Sequence, residues 1–285
     1  MLSTILIILH TFNVIYLNKL NFKKKYIMKK QILSIIFILS LTISFSQLVS
    51  YEAIWVKDSM DESYVEVEDF WSKIKEQAIA DDSQDFWIVF KLEKDPENSD
   101  HKMKPDYIVM NGYKDSIQRS KSVNWQELGK KVYKKELSKK KFETKWTLGS
   151  QVRKETRTFL VERLDNSVWS PLEEGKDVLF LFNGFKALND DYENFEMKFF
   201  KENHKKQIEA GSRAWWEFNK VLNRSENANK EVTHFTIDAI DKDYQWSNDG
   251  EPSFTEQMMG KYGVASRERV IGDRMSVLFA KFQQN

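Results

Sequence analysis

One stretch of the chain occurs twice, and this restricts the possible folds more than the composition does. Tyr192–Leu222 reads YENFEMKFFKENHKKQIEAGSRAWWEFNKVL: an amphipathic helix, a Gly-Ser turn and a tryptophan-rich strand. Subtracting 129 from Phe199, Phe200, Ile208, Ser212, Trp215 and Trp216 gives Phe70, Trp71, Ile79, Ser83, Phe86 and Trp87, so Val65–Leu92 is its diverged copy. A repeat on this scale implies two equivalent supersecondary units, and each must find something against which to bury its apolar face.

The hydrophobic period around each copy supplies the rest of the unit. In the first half Leu48–Lys57 partly alternates, as a strand does. Tyr64, Val67, Phe70, Trp71, Ile74 and Ala78 then recur at helical steps behind the acids Asp58, Asp61, Glu62 and Glu66, which a helix start favours. Phe86–Leu92 is an apolar run too short for a helix, and Asp106–Tyr113 is the next strand. Val123, Trp125, Leu128, Val132 and Leu137 mark a second helix, and Gln151–Arg163 a long strand. A loop carrying Pro171 and Gly175 leads to the same order again: strand Val178–Ala187, helix Tyr192–Ala210, strands Arg213–Leu222 and Val232–Ile240, a helical region over 252–271, and strand Arg274–Phe282. Each half is β-α-β-β-α-β, the ferredoxin-like order, in which one sheet face is left without a cover. The expected fold is α+β: ferredoxin-like repeat 1 at 48–164, a linker at 165–177 and repeat 2 at 178–285, packed sheet to sheet as a pseudodimeric α/β barrel.

This arrangement, with a Trp-bearing second strand after a long first helix, resembles the dimeric α/β-barrel superfamily, which includes the antibiotic-biosynthesis monooxygenases, the NIPSNAP proteins and the stress-responsive A/B-barrel proteins. The likeness covers about residues 48–285 at the level of element order. It implies a monomer that is its own pseudodimer, and a ligand site in the cleft between helices and sheet, where some members bind haem.

The N-terminal part has a different character. Residues 28–46 combine Lys29 and Lys30, an apolar run from Ile32 to about Ile43, and small residues at Ser44 and Ser46, the pattern of a secretory signal peptide. Its apolar run falls short of the ~20 residues that span a bilayer. Residues 1–27 read as an upstream extension in front of a true start at Met28. The lysines before residue 47 number six with no acid, leaving 38 basic against 43 acidic residues in the body. A mildly acidic body gives no reason to expect nucleic acid. Cysteine is absent, which excludes disulfides, thiolate metal sites and the acylation point of a lipoprotein. The expected location is therefore periplasmic or extracellular, with no membrane span after cleavage.

No hydrolase, metal or nucleotide signature occurs, and no metal site is expected. The candidate ligand-binding residues are His204, Trp215, Trp216 and Tyr244, all in the second half. His204 borders the apolar face of the repeat-2 helix, where repeat 1 has Lys75, and the adjacent tryptophans must point to opposite faces of a strand. A bland account stands beside each: a partly exposed helix residue, and buried aromatic packing. The lysines between Lys130 and Lys145 are expected to be a solvated helix face. The sequence thus points to an exported, non-catalytic module for a small hydrophobic ligand or a protein partner, without a cofactor. The alternative is a cofactor-independent oxygenase or haem-handling enzyme. Intact mass of the protein recovered from a secreting host checks the leader: the mature chain is expected to begin at Gln47, and an envelope-anchored species retaining 28–46 would refute cleavage.

Overall fold

A computed structural model describes residues 47–94, 103–244 and 251–283; residues 1–46, with the expected signal peptide at 28–46, and the loop holding His101 lie outside the described residues. The first half contains β1 (Leu48–Val56), α1 (Asp61–Ala80), β2 (Phe86–Leu92), β3 (Tyr107–Tyr113), α2 (Ser116–Ser120), α3 (Trp125–Tyr133), α4 (Lys139–Val152) and β4 (Arg153–Asn166). The second contains β5 (Val178–Ala187), a continuous helix formed by α5 (Tyr192–Phe195), a π-turn (Glu196–Phe200) and α6 (Lys201–Glu209), then β6 (Arg213–Arg224), β7 (His234–Asp241), α7 (Phe254–Ala265) and β8 (Arg267–Phe282).

Within each half the strand order is that of a ferredoxin-like sheet, β4-β1-β3-β2 and β8-β5-β7-β6, with every pair antiparallel. The two sheets do more than face each other. β2 pairs with β8 from Phe86↔Phe282 to Leu92↔Met275, and β4 pairs with β6 from Phe159↔Arg224 to Asn166↔Glu217, so the eight strands close into one barrel. Closure removes all four edges that two separate sheets would expose.

Alternation along the strands sorts side chains between the interior and the helix layers. Val49, Tyr51, Ala53 and Trp55 of β1 point inward, and Ile54 points under α1. The interior joins the halves through ring contacts: Tyr51 lies 5.5 Å from Phe182, Phe182 4.8 Å from Phe235, and Phe159 5.1 Å from Phe235. The residues expected to be a plain linker are part of this core. Trp169 and Leu172 insert into it while Ser167 and Ser170 donate backbone hydrogen bonds to Trp216 and Ala214 of β6.

Three boundaries differ from expectation. The single second helix of repeat 1 is three helices, because Asn124 and Ser138 each cap a new start by accepting from the third backbone N–H that follows. The lysine cluster is therefore divided between α3 and α4, and most of it is exposed. The last helix stops at Ala265 and β8 begins at Arg267, earlier than its apolar pattern, because its first residues are held by the β5 ladder, with Ala187 opposite Arg267. β4 starts at Arg153 and runs to Asn166.

The repeat is also more extensive than its 129-residue offset indicates. Tyr192 and Glu196 stand where Tyr64 and Glu68 stand, at an offset one residue shorter, and the π-turn takes up the extra residue before Phe199. In consequence Glu196 meets Arg267, the first residue of β8, as Glu68 meets Arg153, the first residue of β4. Trp87 and Trp216 occupy equivalent places under the two helix layers, 1% and 0% exposed. Replacing either by Ala is expected to cost about 3–5 kcal/mol through lost burial and cavity formation, measured by denaturant unfolding.

Candidate functional site

The four residues singled out from sequence do not form one site. His204 and Trp216 meet beneath the repeat-2 helix, ring centroids 5.3 Å apart. Trp215 is on the other side of the sheet, against the barrel interior, where its ring is 6.0 Å from the Arg163 guanidinium. Tyr244 follows β7 in a turn closed by its N–H to the Asp241 carbonyl, 3.1 Å. A single ligand cannot touch Trp215 and Trp216 from one cleft. Gly211, in the turn before β6, has φ 71°, and its first-half counterpart Asp82 also takes a left-handed φ, 52°, so the same turn forms in both.

A cleft of about 600 Å³ opens in the first half instead, between α1, α4 and the outer face of the sheet. Its floor is Ser50 and Glu52 from β1, Trp87 from β2 and Val109, Asn111 and Tyr113 from β3. Trp71 of α1, Trp125 of α3 and Trp146 of α4 form the walls, Trp71 lying 6.1 Å from Trp125 and 5.2 Å from Trp146. The opening has a local cause. Gly149 and Gly263 both lie four residues before the arginine that starts the last strand of their half. A Cβ on Gly263 would come within 2.9 Å of Phe200 and 3.1 Å of Phe195, whereas one on Gly149 would meet only Val67, at 3.5 Å. The larger Phe195 in place of Val67 closes the second half at this point.

The cleft holds a connected polar set. Lys75 donates to the Asn111 side-chain carbonyl at 2.9 Å and to Gln84 Oε1 at 3.2 Å, and its ammonium lies 4.0 Å from the Trp125 ring. Asn111 Nδ2 donates to Glu52 at 3.1 Å, and Arg153 bridges Glu52 at 3.4 Å and Glu68 at 3.1 Å. Protein atoms surround Lys75 closely although its outer edge reaches the cleft. Loss of hydration lowers its pKa to about 8, against the opposing pull of Glu52 and Glu68. Burial raises the Glu68 carboxyl despite Arg153.

Sequence reasoning passed over these residues because Lys75 was weighed only as a non-imidazole at the His204 position. The available signal was Glu68, Trp71 and Lys75 at helical spacing on the stripe that faces the sheet, two ionisable groups where apolar residues belong.

Haem does not fit the cleft: its lining has no His, Cys or Met to hold the iron, and burial raises the pKa of the one tyrosine, Tyr113, away from a phenolate ligand. His204 is packed on Trp216 and is not part of the first-half cleft. Among the described residues no three His, Cys, Asp or Glu are grouped to hold a metal ion.

No protein-family model matches the chain, and no curated protein matches it. Solved structures do. A proposed monooxygenase from Lactobacillus acidophilus superposes with TM-score 0.51 at 7% identity, over 84% of this chain and 97% of its own. A proposed monooxygenase from Fusobacterium nucleatum gives 0.48 at 8%, over 85% and 97%, and an anthrone oxidase-like protein 0.49 at 8%, over 85% and 95%. The likeness to the first is one of fold: this chain is a pseudodimeric α/β barrel, its eight strands supplied by two ferredoxin-like halves.

His204 makes a prediction independent of any ligand. Burial first, and then Arg213, lower its pKa to about 4 from an ordinary 6.5. The unfolded chain therefore binds this proton first, so the contribution is complete above 6.5 and is lost as pH falls toward 4. His204→Gln is expected to remove on the order of 2 kcal/mol of the acid-induced loss of stability in that window, read from unfolding curves at pH 7 and pH 4.

Proposed function

We propose that this chain is an exported small-molecule-binding protein whose first-half cleft receives a flat aromatic ligand. The observation that carries the reading is the set of three indoles, Trp71, Trp125 and Trp146, which flank the cleft and keep part of their surface free. Apolar walls with a few convergent polar groups, at a volume within the ~300–1,000 Å³ typical of ligand sites, are what a binding pocket needs. Export is supported by the leader-like pattern of residues 28–46. Among the described residues no helix is long and apolar enough to cross a membrane.

A second reading, a cofactor-independent oxygenase, is favoured by Lys75. A cleft amine with a pKa near 8 can accept the proton of a bound phenol near neutral pH, and an electron-rich phenolate is the form that reacts with oxygen. Oxygen uptake with bound phenols separates this reading from simple binding.

Tryptophan emission is the direct assay for the cleft. Titration with naphthalene-class probes is expected to give saturable quenching, with Trp71→Ala and Trp125→Ala binding roughly threefold to tenfold more weakly. Trp215→Phe, inside the barrel, should leave affinity unchanged. An unsaturable, linear response in the wild type would refute the cleft as a ligand site.

A further inference from the structure

In the first-half cleft one cation, Lys75, makes no ion pair among the described residues. The wholly or largely buried arginines, in this cleft and outside it, meet carboxylates: Arg153 meets Glu52 and Glu68, Arg163 meets Glu217, Arg213 meets Asp238 and Arg267 meets Glu196. Lys75 donates to the neutral oxygens of Asn111 and Gln84 and lies over the Trp125 ring; among the described residues it forms no ion pair. A charge withdrawn from water is ordinarily paired.

Comparison of the halves shows what is missing. Trp87 stands opposite Asn111 in the β2·β3 ladder, and Trp216 opposite Asp238 in the β6·β7 ladder, so Asn111 and Asp238 are equivalent. The 129-residue offset places Gln84 at the position of Arg213. The second half therefore has an acid with its cation, Asp238 with Arg213, while the first has Lys75 beside two amides. Those amides do not depend on the lysine. Gln84 Nε2 donates to the Phe86 carbonyl at 2.7 Å and to Asn111 Oδ1 at 3.1 Å, and Asn111 donates to Glu52. Two acceptors leave the ammonium a third N–H, and its outer edge reaches the cleft.

We propose that Lys75 is the anchor for an acidic group on the aromatic ligand, so that the cleft selects planar carboxylates or phenolates over neutral and cationic analogues of the same shape. The ring lies among Trp71, Trp125 and Trp146, and the anion replaces, on the ligand, the acid that Asp238 supplies in the other half. Arg153 occupies Glu52 and Glu68 directly, so that neither carboxylate is in ion-pair contact with Lys75.

This deepens the reading of the cleft as an aromatic site and rests on it, so the experiment keeps the two apart. Calorimetric titration of the mature protein compares 2-naphthoate, neutral 2-naphthamide and cationic 2-naphthylmethylammonium against wild type, Lys75→Met and Lys75→Arg, with melting curves confirming that each variant folds. The expected result is at least about tenfold tighter binding of the carboxylate than of the amide, the amide ahead of the cation, with the preference falling to roughly twofold in Lys75→Met and largely kept in Lys75→Arg. Equal binding of carboxylate and amide to wild type, or an unchanged preference in folded Lys75→Met, overturns the anchor while the aromatic cleft stands. Failure of all three probes to bind wild type overturns the cleft reading and the anchor with it.

Discussion

Two backbone ladders, β2 with β8 and β4 with β6, hold the rest of the molecule in place. A four-stranded ferredoxin-like sheet has helices on one face only, so alone it would expose an apolar face and two hydrogen-bonding edges. Joining the halves at both edges removes the second problem and solves the first. The uncovered faces become the inside of a barrel, where Tyr51, Phe159, Phe182 and Phe235 pack across the boundary between halves. One buried carboxylate there gathers several partners: Glu217 meets Arg163 and accepts from Asn219 at 2.8 Å and from the Tyr51 hydroxyl at 3.3 Å. The chain between the halves adds Trp169 and Leu172 to the same core.

Because the interior is shared, substitutions there affect both halves, whereas each outer helix layer can change by itself. That separation is visible in the two layers. Both keep a tyrosine, a buried glutamate and the arginine that opens the last strand: Tyr64, Glu68 and Arg153 in one, Tyr192, Glu196 and Arg267 in the other. Around this frame they diverge. In the second, Phe195 and Phe200 press on Gly263, and Arg267 lies over Phe185 at 4.3 Å and Phe200 at 4.4 Å, so the layer is filled. In the first, Val67 leaves Gly149 room, and Trp71, in ring contact with Trp125 and Trp146, flanks an open cleft with them. The π-turn at Glu196–Phe200 absorbs one extra residue in the second helix without moving Glu196 from its arginine.

The polar chemistry follows the same division. Where the second layer is closed, charges are matched within it, as in Arg213 with Asp238, and His204 is held neutral by burial. Where the first is open, Lys75 has amide acceptors and an aromatic face but no acid. On the proposed reading, the set in the first layer is completed by the acidic group of a ligand, whereas that of the second is complete within the chain.

The sequence by itself determined the duplication, the β-α-β-β-α-β order of each half and the opposite facing of Trp215 and Trp216, because these follow from local periodicity and from the alternation of a strand. The helix break at Asn124 and Ser138 was also legible in principle, since both are capping residues. Barrel closure, by contrast, depends on pairing between strands as distant as Phe86 and Phe282, and the early start of β8 depends on β5, so neither can be read from a local window. The location of the cleft was likewise decided only in three dimensions. Sequence comparison favoured the half with an imidazole and two tryptophans, but side-chain volume at Val67 and Phe195 against two equivalent glycines opens one layer and closes the other. Lys75 became significant only once the fold set it among Trp71, Trp125, Asn111 and Gln84, contributed by α1, α3, β3 and the turn before β2, because whether a charge lacks a partner is a property of what surrounds it in space.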